Sequence, residues 1–183
     1  GDVVLQDIIF GDPDAPVTLI EYASWTCPAC LDFHSRIMPT LKTDYIDTGK
    51  VRLVFREYPT PPMNIAVAGF TLARCADGET YYDLLDELFM RQDAILTLAH
   101  QGGPVVEALQ QVGANHGIAT EADFEACLAD QNSRDAIRAS IAAAQSKGVA
   151  ATPTFFLNGE KLDNNVRIST ATFTAVLDEA LGE

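Results

Sequence analysis

The stretch VTLIEYASWTCPAC, residues 17–30, decides the fold of this chain. Its first half, Val17–Ala23, is rich in β-branched and aromatic residues, which is typical of a buried strand. After Cys30, apolar residues recur at helical spacing and predict a helix that begins near Pro28 and breaks at Pro39. The two cysteines of the stretch are therefore expected where a strand passes into a helix.

Cys27 is predicted to be a nucleophilic thiol. At a helix N-terminus, unpaired N–H groups and the positive end of the helix dipole stabilise a thiolate relative to a thiol. Pro28 suits the first turn, where its missing N–H costs no hydrogen bond, and the spacing lets Cys30 close a disulfide with Cys27. We interpret residues 27–30 as a dithiol/disulfide active site in which Cys27 is partly exposed and attacks, while Cys30 is the buried resolving partner.

Two cysteines at this spacing are also half of many zinc sites. His34 follows Cys30 by one helical turn and offers a third ligand. A fourth ligand is missing, because Cys75 and Cys127 each stand alone in the sequence. The position of the pair at a strand-to-helix corner favours redox use, for which we expect neither a metal nor a cofactor.

Glu21 and Trp25 are candidate site residues in the same stretch. Glu21 is a carboxylate in a nearly continuous apolar run, six residues before Cys27. We interpret it as a buried acid that exchanges a proton with Cys30, and the alternative is an edge position or a structural acid. Trp25, the only tryptophan, either borders the thiol pocket or belongs to the core.

The composition limits the class of protein. The 183 residues, of which 48% are hydrophobic, suit one domain or one domain with a large insertion. Since no apolar run approaches the length of a membrane span, we expect no insertion into a bilayer. The formal net charge of −14 disfavours contact with phosphate backbones, so nucleic acid is not an expected partner.

The rest of the chain divides into three parts. Val51–Tyr58 alternates as a second strand, and the prolines that follow stop it. From Met63 to Gly148 the apolar residues recur at helical spacing and no strand is predicted. The dipeptide Asn158-Gly159 lies between two apolar runs and predicts a hairpin, after which Ser169 is expected to cap a last helix.

Cys75 and Cys127 both fall in the helical part, near the ends of different predicted helices. Two buried free thiols are one interpretation, because an unpaired cysteine behaves as a small apolar residue. The other, which we adopt, is a structural disulfide that clamps the two helices. It rests on the oxidising compartment that the redox motif indicates.

These parts, together with Thr152-Pro153 before the hairpin, resemble the DsbA-like thiol:disulfide oxidoreductases of the thioredoxin superfamily. The resemblance covers almost the whole chain. It implies an α/β thioredoxin fold, βαβ then ββα, with an all-helical insertion. Residues 1–62 and 149–183 would form the thioredoxin-like domain, and residues 63–148 the helical insertion domain.

The resemblance also implies roles for residues outside the cysteine pair. Pro153 is expected to follow a cis peptide bond and to face Cys27, although the sequence alone favours trans. The backbone of Thr152 would pair with an extended substrate chain, and Glu21 matches an acid that the family has six residues before its first cysteine. We assign substrate contact to Trp25, Pro28, Ala29, Thr152 and Pro153.

Two positions differ from the residues most often found in such proteins. The best-known members have histidine where Ala29 stands, and many have valine where Thr152 stands. A histidine beside the thiolate adds a hydrogen bond or a positive charge that alanine lacks. We therefore expect this protein to be less oxidising than its histidine-bearing relatives, with the Thr152 hydroxyl offsetting part of the difference if it reaches the sulfur.

By the same resemblance, the protein would act in the bacterial periplasm, pass its disulfide to unfolded or partly folded cysteine-containing proteins, and be reoxidised by a membrane oxidase of the DsbB type. Its first residues show no charged segment followed by an apolar run, so we expect any secretory signal peptide to have been removed. A monomer is the default expectation. The alternatives are a periplasmic disulfide reductase or isomerase, and a non-catalytic thioredoxin-fold binding or zinc-holding module.

Overall fold

A computed structural model describes residues 6–76 and 78–183. Within these residues, five strands form one sheet: β1 Ile9–Phe10, β2 Val17–Ala23, β3 Val51–Glu57, β4 Thr154–Leu157 and β5 Glu160–Lys161. Their order in the sheet is β1-β3-β2-β4-β5. β2 and β3 are parallel, whereas β1, β4 and β5 run antiparallel to the strands that they join.

The α-helices surround this sheet. They are α1 Pro28–Arg36, α2 Met38–Leu41, α3 Met63–Ala76, α4 Gly78–Met90, α5 Gln92–His100, α6 Val105–Asn115, α7 Glu121–Ala129, α8 Gln131–Ser146 and α9 Thr170–Leu181. A π-helix, Lys42–Ile46, follows α2, and a 3-10 helix, Asn164–Ile168, precedes α9. The predicted order of βαβ, a helical segment and ββα is thereby confirmed. None of the helices described is both long enough and apolar enough to cross a membrane.

The first predicted helix is interrupted, as Pro39 indicated. α1 ends at Arg36, Ile37 has a φ of −108°, and Pro39 lies in the first turn of α2. Proline has no N–H to donate to the preceding turn, and its ring clashes with the carbonyl there. The chain therefore restarts its helix in the one place where proline is tolerated.

The hairpin also forms where the sequence predicted it. Asn158 and Gly159 have φ values of 50° and 88°, which the two central residues of a tight hairpin turn require. The Asn158 side chain accepts a hydrogen bond from the N–H of Thr18 at 2.9 Å. This contact fixes the turn to β2, so that β4 lies antiparallel to the strand that leads to the cysteines.

Successive residues of β2 point to opposite faces of the sheet. Leu19 and Ala23 belong to the main core, whereas Ile20 packs in a second cluster with Ala144 of α8. Glu21 alternates with these neighbours and shares the face of Leu19 and Ala23. Its carboxylate therefore points into the main core, toward α1.

The helical segment covers both faces of the sheet. α3 and α4 pack in the main core, and Ala143 and Ala144 of α8 pack on the opposite face. Its helices thus share their cores with the strands. The division into domains of residues 1–62 with 149–183 and of residues 63–148 stays a prediction, and residues 1–5 lie outside the described residues.

A disulfide bond joins two helices of this segment. Cys75 in α3 and Cys127 in α7 are bonded, with their Cα atoms 5.8 Å apart. The bond closes a loop between residues separated by 52 positions in the sequence. The structure thus has the pairing that we adopted, and neither cysteine is a free thiol.

Candidate active site

Cys27 is the N-cap residue of α1. Its sulfur accepts a hydrogen bond from the N–H of Cys30 at 3.4 Å, and its carbonyl accepts one from the N–H of Leu31 at 3.1 Å. Pro28 is in the first helical turn, where it removes no hydrogen bond. The sulfur consequently lies at the positive end of the helix, the place where a thiolate is stabilised.

Cys27 and Cys30 are both free thiols in this structure. Cys30 is fully buried, and only 7% of Cys27 is exposed. The prediction of a partly exposed Cys27 therefore overstated its exposure. The reason lies in Thr152, which contacts the Cys27 sulfur through both its hydroxyl and its carbonyl and covers it.

The pKa values of the two thiols move in opposite directions. The pKa of Cys27 is lowered to about 6, chiefly by a hydrogen bond from the Cys30 side chain. Burial acts against this, while the Thr152 hydroxyl and the N–H groups of Cys30 and Ala29 lower the pKa further. Burial raises the pKa of Cys30 far above its ordinary value, and the interaction with Cys27 adds to this. At neutral pH, Cys27 is thus a thiolate and Cys30 keeps its proton.

The segment before β4 completes the surroundings of the thiolate. The peptide bond between Thr152 and Pro153 is cis, as the resemblance implied and contrary to the default for the sequence alone. The Thr152 hydroxyl donates a hydrogen bond to the Cys27 sulfur at 3.2 Å, and the Thr152 carbonyl oxygen lies 3.8 Å from that sulfur. A valine at this position would supply no such donor.

Glu21 is fully buried and contacts His34. The two carboxylate oxygens lie 2.9 and 3.1 Å from His34 Nε2, and the imidazole stacks on the ring of Phe89 with a centroid distance of 4.2 Å. The predicted partner of Glu21 was Cys30, but its hydrogen bond goes to His34. Cys30 is nevertheless near enough for the charge of Glu21 to be a minor cause of its raised pKa, after burial and the interaction with Cys27.

Trp25 is a core residue, and its assignment to substrate binding is wrong. Its side chain is fully buried, and its indole N–H donates to the carbonyl of Ala66 at 3.0 Å. The ring lies so close to Gly69 of α3 that any β-carbon there would overlap it. A substrate on the surface therefore cannot reach Trp25.

Gln92 is a residue near the site that the sequence interpretation missed. Its side-chain amide donates to the carbonyls of Trp25 and Cys27 at 2.7 and 2.9 Å, and only 1% of the residue is exposed. It thereby attaches α5 to the loop that carries the cysteine. The sequence did contain one indication that Gln92 is buried. It precedes the apolar residue Ile95 by three positions and so lies on the buried face of α5.

A groove of about 550 Å³ opens beside the cysteine pair. Its lining is largely apolar and includes Thr26, Pro28, Pro61, Pro62, Ile65 and Leu96. Of the residues assigned to substrate contact, Pro28 is exposed and lines this groove, while Ala29 is half-buried and is not among its lining residues. The groove brings apolar side chains of α3 and α5 next to the start of α1.

The structure does not support a zinc site at Cys27, Cys30 and His34. His34, its proposed third ligand, directs Nε2 at Glu21. Across residues 6–76 and 78–183, no three side chains of the types His, Cys, Asp or Glu are grouped so that they could hold a metal ion. The arrangement of Cys27, Cys30 and Thr152 is suited instead to thiol chemistry.

Residues 4–179 match the Thioredoxin family, and the chain belongs to that family. Two relatives from Rickettsia bellii and Rickettsia conorii, both named "Putative protein-disulfide oxidoreductase", are 29% and 32% identical to it over 97% of this chain. The chain spans 66% and 61% of the length of these two relatives.

Solved structures agree with this assignment. The crystal structure of Wolbachia pipientis alpha-DsbA1 has a TM-score of 0.83 and 28% identity, with 98% of this chain and 93% of that one covered. Oxidised BdbD from Bacillus subtilis shares the fold, with a TM-score of 0.80 at 19% identity over 99% of this chain and 96% of that one. The thioredoxin fold and the resemblance to DsbA-like proteins are thereby confirmed.

Proposed function

We propose that this protein is a thiol:disulfide oxidoreductase that introduces disulfide bonds into exported proteins. The observation that carries this proposal is the acidity of Cys27, whose pKa is lowered to about 6 by donors from Cys30, Thr152 and the start of α1. These donors stabilise the thiolate, which exists only in the reduced protein. A more stable reduced form makes the disulfide form a stronger oxidant.

The reaction is an exchange of disulfides in two displacements. A substrate thiolate attacks the sulfur of Cys27, the bond between Cys27 and Cys30 breaks, and Cys30 leaves with the electron pair and takes up a proton. A second substrate thiolate then attacks the substrate sulfur of the mixed disulfide. Cys27 leaves as its stabilised thiolate, so the substrate has lost two electrons and the protein has gained them.

The substrates proposed are unfolded or partly folded proteins with free cysteines. An extended chain that brings its sulfur to Cys27 also passes the backbone of Thr152, which lies against that sulfur. The neighbouring groove offers an apolar surface around Pro28 and Leu96. Apolar side chains are exposed in unfolded chains and buried in finished ones, so such a groove favours unfolded substrates.

A location in the bacterial periplasm is part of the proposal. The disulfide between Cys75 and Cys127 supports it, since such bonds persist in oxidising compartments. After each turnover the reduced pair must be reoxidised, for which we propose a membrane oxidase of the DsbB type. Reductase or isomerase activity is the alternative, because the same exchange also runs in reverse.

The equilibrium between the Cys27–Cys30 disulfide and glutathione separates these activities. For an oxidant we expect a reduction potential nearer to about −120 mV than to about −270 mV, the values of a strong oxidant and of a reductant with this fold. The wild-type protein should also oxidise a reduced multi-cysteine substrate, whereas Cys27→Ala should not. A potential near the lower value, with rapid reduction of insulin, would favour the reductase instead.

Ala29, the second of the two residues between the cysteines, gives a second test. Ala29→His adds a donor beside the thiolate, so we expect the pKa of Cys27 to fall and the potential to rise by roughly 30 mV for each tenfold change in the equilibrium constant. Ser35→His is the matched control, because Ser35 is exposed on α1 one turn or more beyond the cysteines. Equal potentials in both variants would mean that position 29 does not influence the thiolate.

A further inference from the structure

Gln92 is a buried polar residue beside the cysteine pair that the exchange reaction does not use. Its side-chain nitrogen lies 2.7 Å from the carbonyl oxygen of Trp25 and 2.9 Å from that of Cys27. Carbonyl oxygens can only accept hydrogen bonds, so the nitrogen of the amide, and not its oxygen, must face them. The two N–H bonds of this nitrogen are therefore directed at the loop that carries Cys27.

The position of this amide is fixed by the packing of α5. Gln92 is the first residue of the helix, and both Gln92 and Ile95, three positions later, are buried. A buried amide without partners destabilises a fold, and so does a buried carbonyl. The amide therefore stays with the two carbonyls and holds the loop to α5.

The carbonyl of Cys27 accepts two hydrogen bonds. One comes from the N–H of Leu31 at 3.1 Å, within the first turn of α1, and the other comes from Gln92. A carbonyl oxygen carries a partial negative charge, which disfavours a thiolate on the same residue, and each donor offsets part of that charge. Gln92 thus acts on the thiolate through the backbone of Cys27.

The donors at the Cys27 sulfur depend on the position of that backbone. The N–H of Cys30 lies 3.4 Å from the sulfur, and the Thr152 hydroxyl, which belongs to a distant part of the chain, lies 3.2 Å from it. Hydrogen bonds weaken steeply when their alignment is lost. A small shift of the Cys27 backbone therefore weakens both donors at once.

A second set of contacts holds the same loop. The Ser24 hydroxyl accepts a hydrogen bond from the N–H of Thr60 at 3.2 Å, and the hydroxyls of Thr26 and Thr60 lie 2.9 Å apart. These contacts join the loop to the segment after β3, whereas Gln92 joins it to α5. A variant without the Gln92 amide therefore keeps the loop attached to the sheet, while Cys27 gains freedom.

Given the exchange at Cys27 and Cys30, on which this inference rests, we propose that Gln92 is a positioning residue that sets the oxidising strength of the protein. Its amide fixes the carbonyls of Trp25 and Cys27, and thereby keeps the Cys27 sulfur at the donors of α1 and Thr152. The thiolate that gains from this arrangement exists only in the reduced protein. Gln92 consequently favours the reduced form and makes the disulfide form a stronger oxidant.

A purely structural role for Gln92 predicts a different outcome. If its amide only holds the fold together, the contacts with the two carbonyls stabilise the reduced and the oxidised protein alike. Their loss then lowers both stabilities and leaves the reduction potential unchanged, because the potential depends only on the difference between the two forms. The potential therefore separates a positioning role from a structural one.

The test compares Gln92→Met with Tyr82→Phe. Methionine is unbranched, as glutamine is, and offers no donor. Tyr82 is the matched control, because its buried hydroxyl bonds the carbonyl of Ile8 at 2.6 Å and the N–H of Phe55 at 3.1 Å, and neither partner belongs to the loop of Cys27. The pKa of Cys27 is measured from thiolate absorbance, the potential by equilibration with glutathione, and the stability of each redox form by urea unfolding.

We expect Gln92→Met to raise the pKa of Cys27 and to shift the equilibrium with glutathione at least about threefold toward the disulfide form. This shift is a fall in potential of about 14 mV, since a tenfold change corresponds to about 30 mV. Alkylation of Cys27 at about pH 6 should slow in the same variant, because less thiolate is present. Tyr82→Phe should lose stability in both redox forms and keep the wild-type pKa and potential.

A wild-type pKa and potential in Gln92→Met would overturn the proposal, and so would equal shifts in Tyr82→Phe. If Gln92→Met does not fold, the side-chain amide signals of Gln92 in nuclear magnetic resonance spectra of the wild-type protein decide. They should move as Cys27 titrates, and signals that stay constant through that titration would exclude the coupling. A reductase-like potential in the wild-type protein would end the proposed function alone, because the role of Gln92 rests on the difference between variant and wild type.

Discussion

Replacing Thr152 by valine removes one hydrogen-bond donor from the Cys27 sulfur and leaves the shape of the side chain nearly unchanged. The hydroxyl lies 3.2 Å from the sulfur and is among the causes that lower the pKa of Cys27 to about 6. The Cys30 thiol and the N–H groups of Cys30 and Ala29 remain in the variant. The substitution therefore isolates the contribution of a single donor.

The size of the effect follows from the energy of that hydrogen bond. A hydrogen bond to a charged group contributes about 1.5–3 kcal/mol, and the lower end raises the pKa of Cys27 from about 6 toward about 7. At pH 7 the ionisation of Cys27 then stabilises the reduced protein by about 1 kcal/mol less. Since about 1.4 kcal/mol corresponds to 30 mV for two electrons, the reduction potential should fall by about 20 mV.

The pKa is measured from the ultraviolet absorbance of the thiolate and from alkylation rates, and the potential from equilibration with glutathione. Thr154→Val is the matched control, because the Thr154 hydroxyl donates to the carbonyl of Ala151 at 2.6 Å. We expect both quantities to change in Thr152→Val and neither to change in Thr154→Val. If Thr152→Val behaves like its control, the hydroxyl does not stabilise the thiolate and our account of the acidity is wrong at this residue.

Three further predictions concern stability. The pKa of Cys27 is depressed from its ordinary 9.0 to about 6, so its ionisation stabilises the reduced fold fully above about pH 9, by about 1.4 kcal/mol at pH 7, and hardly at all below about pH 6. Urea unfolding should detect this loss as the pH falls, but not in Cys27→Ala. Gly69→Ala should lower the free energy of unfolding by about 1–3 kcal/mol because its β-carbon overlaps Trp25, and an unchanged melting temperature would contradict that packing. Replacing both Cys75 and Cys127 by alanine should cost up to about 4 kcal/mol for a loop with 52 residues of separation, and free thiols at both positions in a non-reducing peptide map would disprove the bond.

The order of the elements could be predicted because it depends on local patterns. Residues 17–30 carry the whole transition from strand to helix, and Asn158-Gly159 specifies its turn through backbone conformations that few other residues adopt. Pro39 interrupts the first helix because proline has no N–H to donate and its ring clashes with the preceding turn. Each of these signals acts within a few residues and was therefore visible in the sequence.

Contacts between separate elements were harder to predict. Glu21 and His34 were interpreted one at a time, the first as a partner of Cys30 and the second as a zinc ligand, although they bind each other. Their contact depends on how α1 lies on the sheet, which no local pattern specifies. The exposure of Cys27 likewise depends on Thr152, which is 125 residues away in the sequence.

Because Gln92 of α5 donates hydrogen bonds to the loop that carries Cys27, the final environment of this thiol forms only when later parts of the chain have folded. The carbonyl of Cys27 accepts one hydrogen bond from Leu31 of the same helix and a second from Gln92, 65 positions further along the chain, so this second contact forms only when α5 has packed. Thr152, which lowers the pKa of Cys27, is made later still. A growing chain therefore carries a Cys27 that still lacks the Thr152 donor, one of the causes of its lowered pKa. The full set of donors to Cys27 is complete only after Cys75 and Cys127 have both been made and can pair with each other, which favours their bond over a wrong disulfide with Cys27.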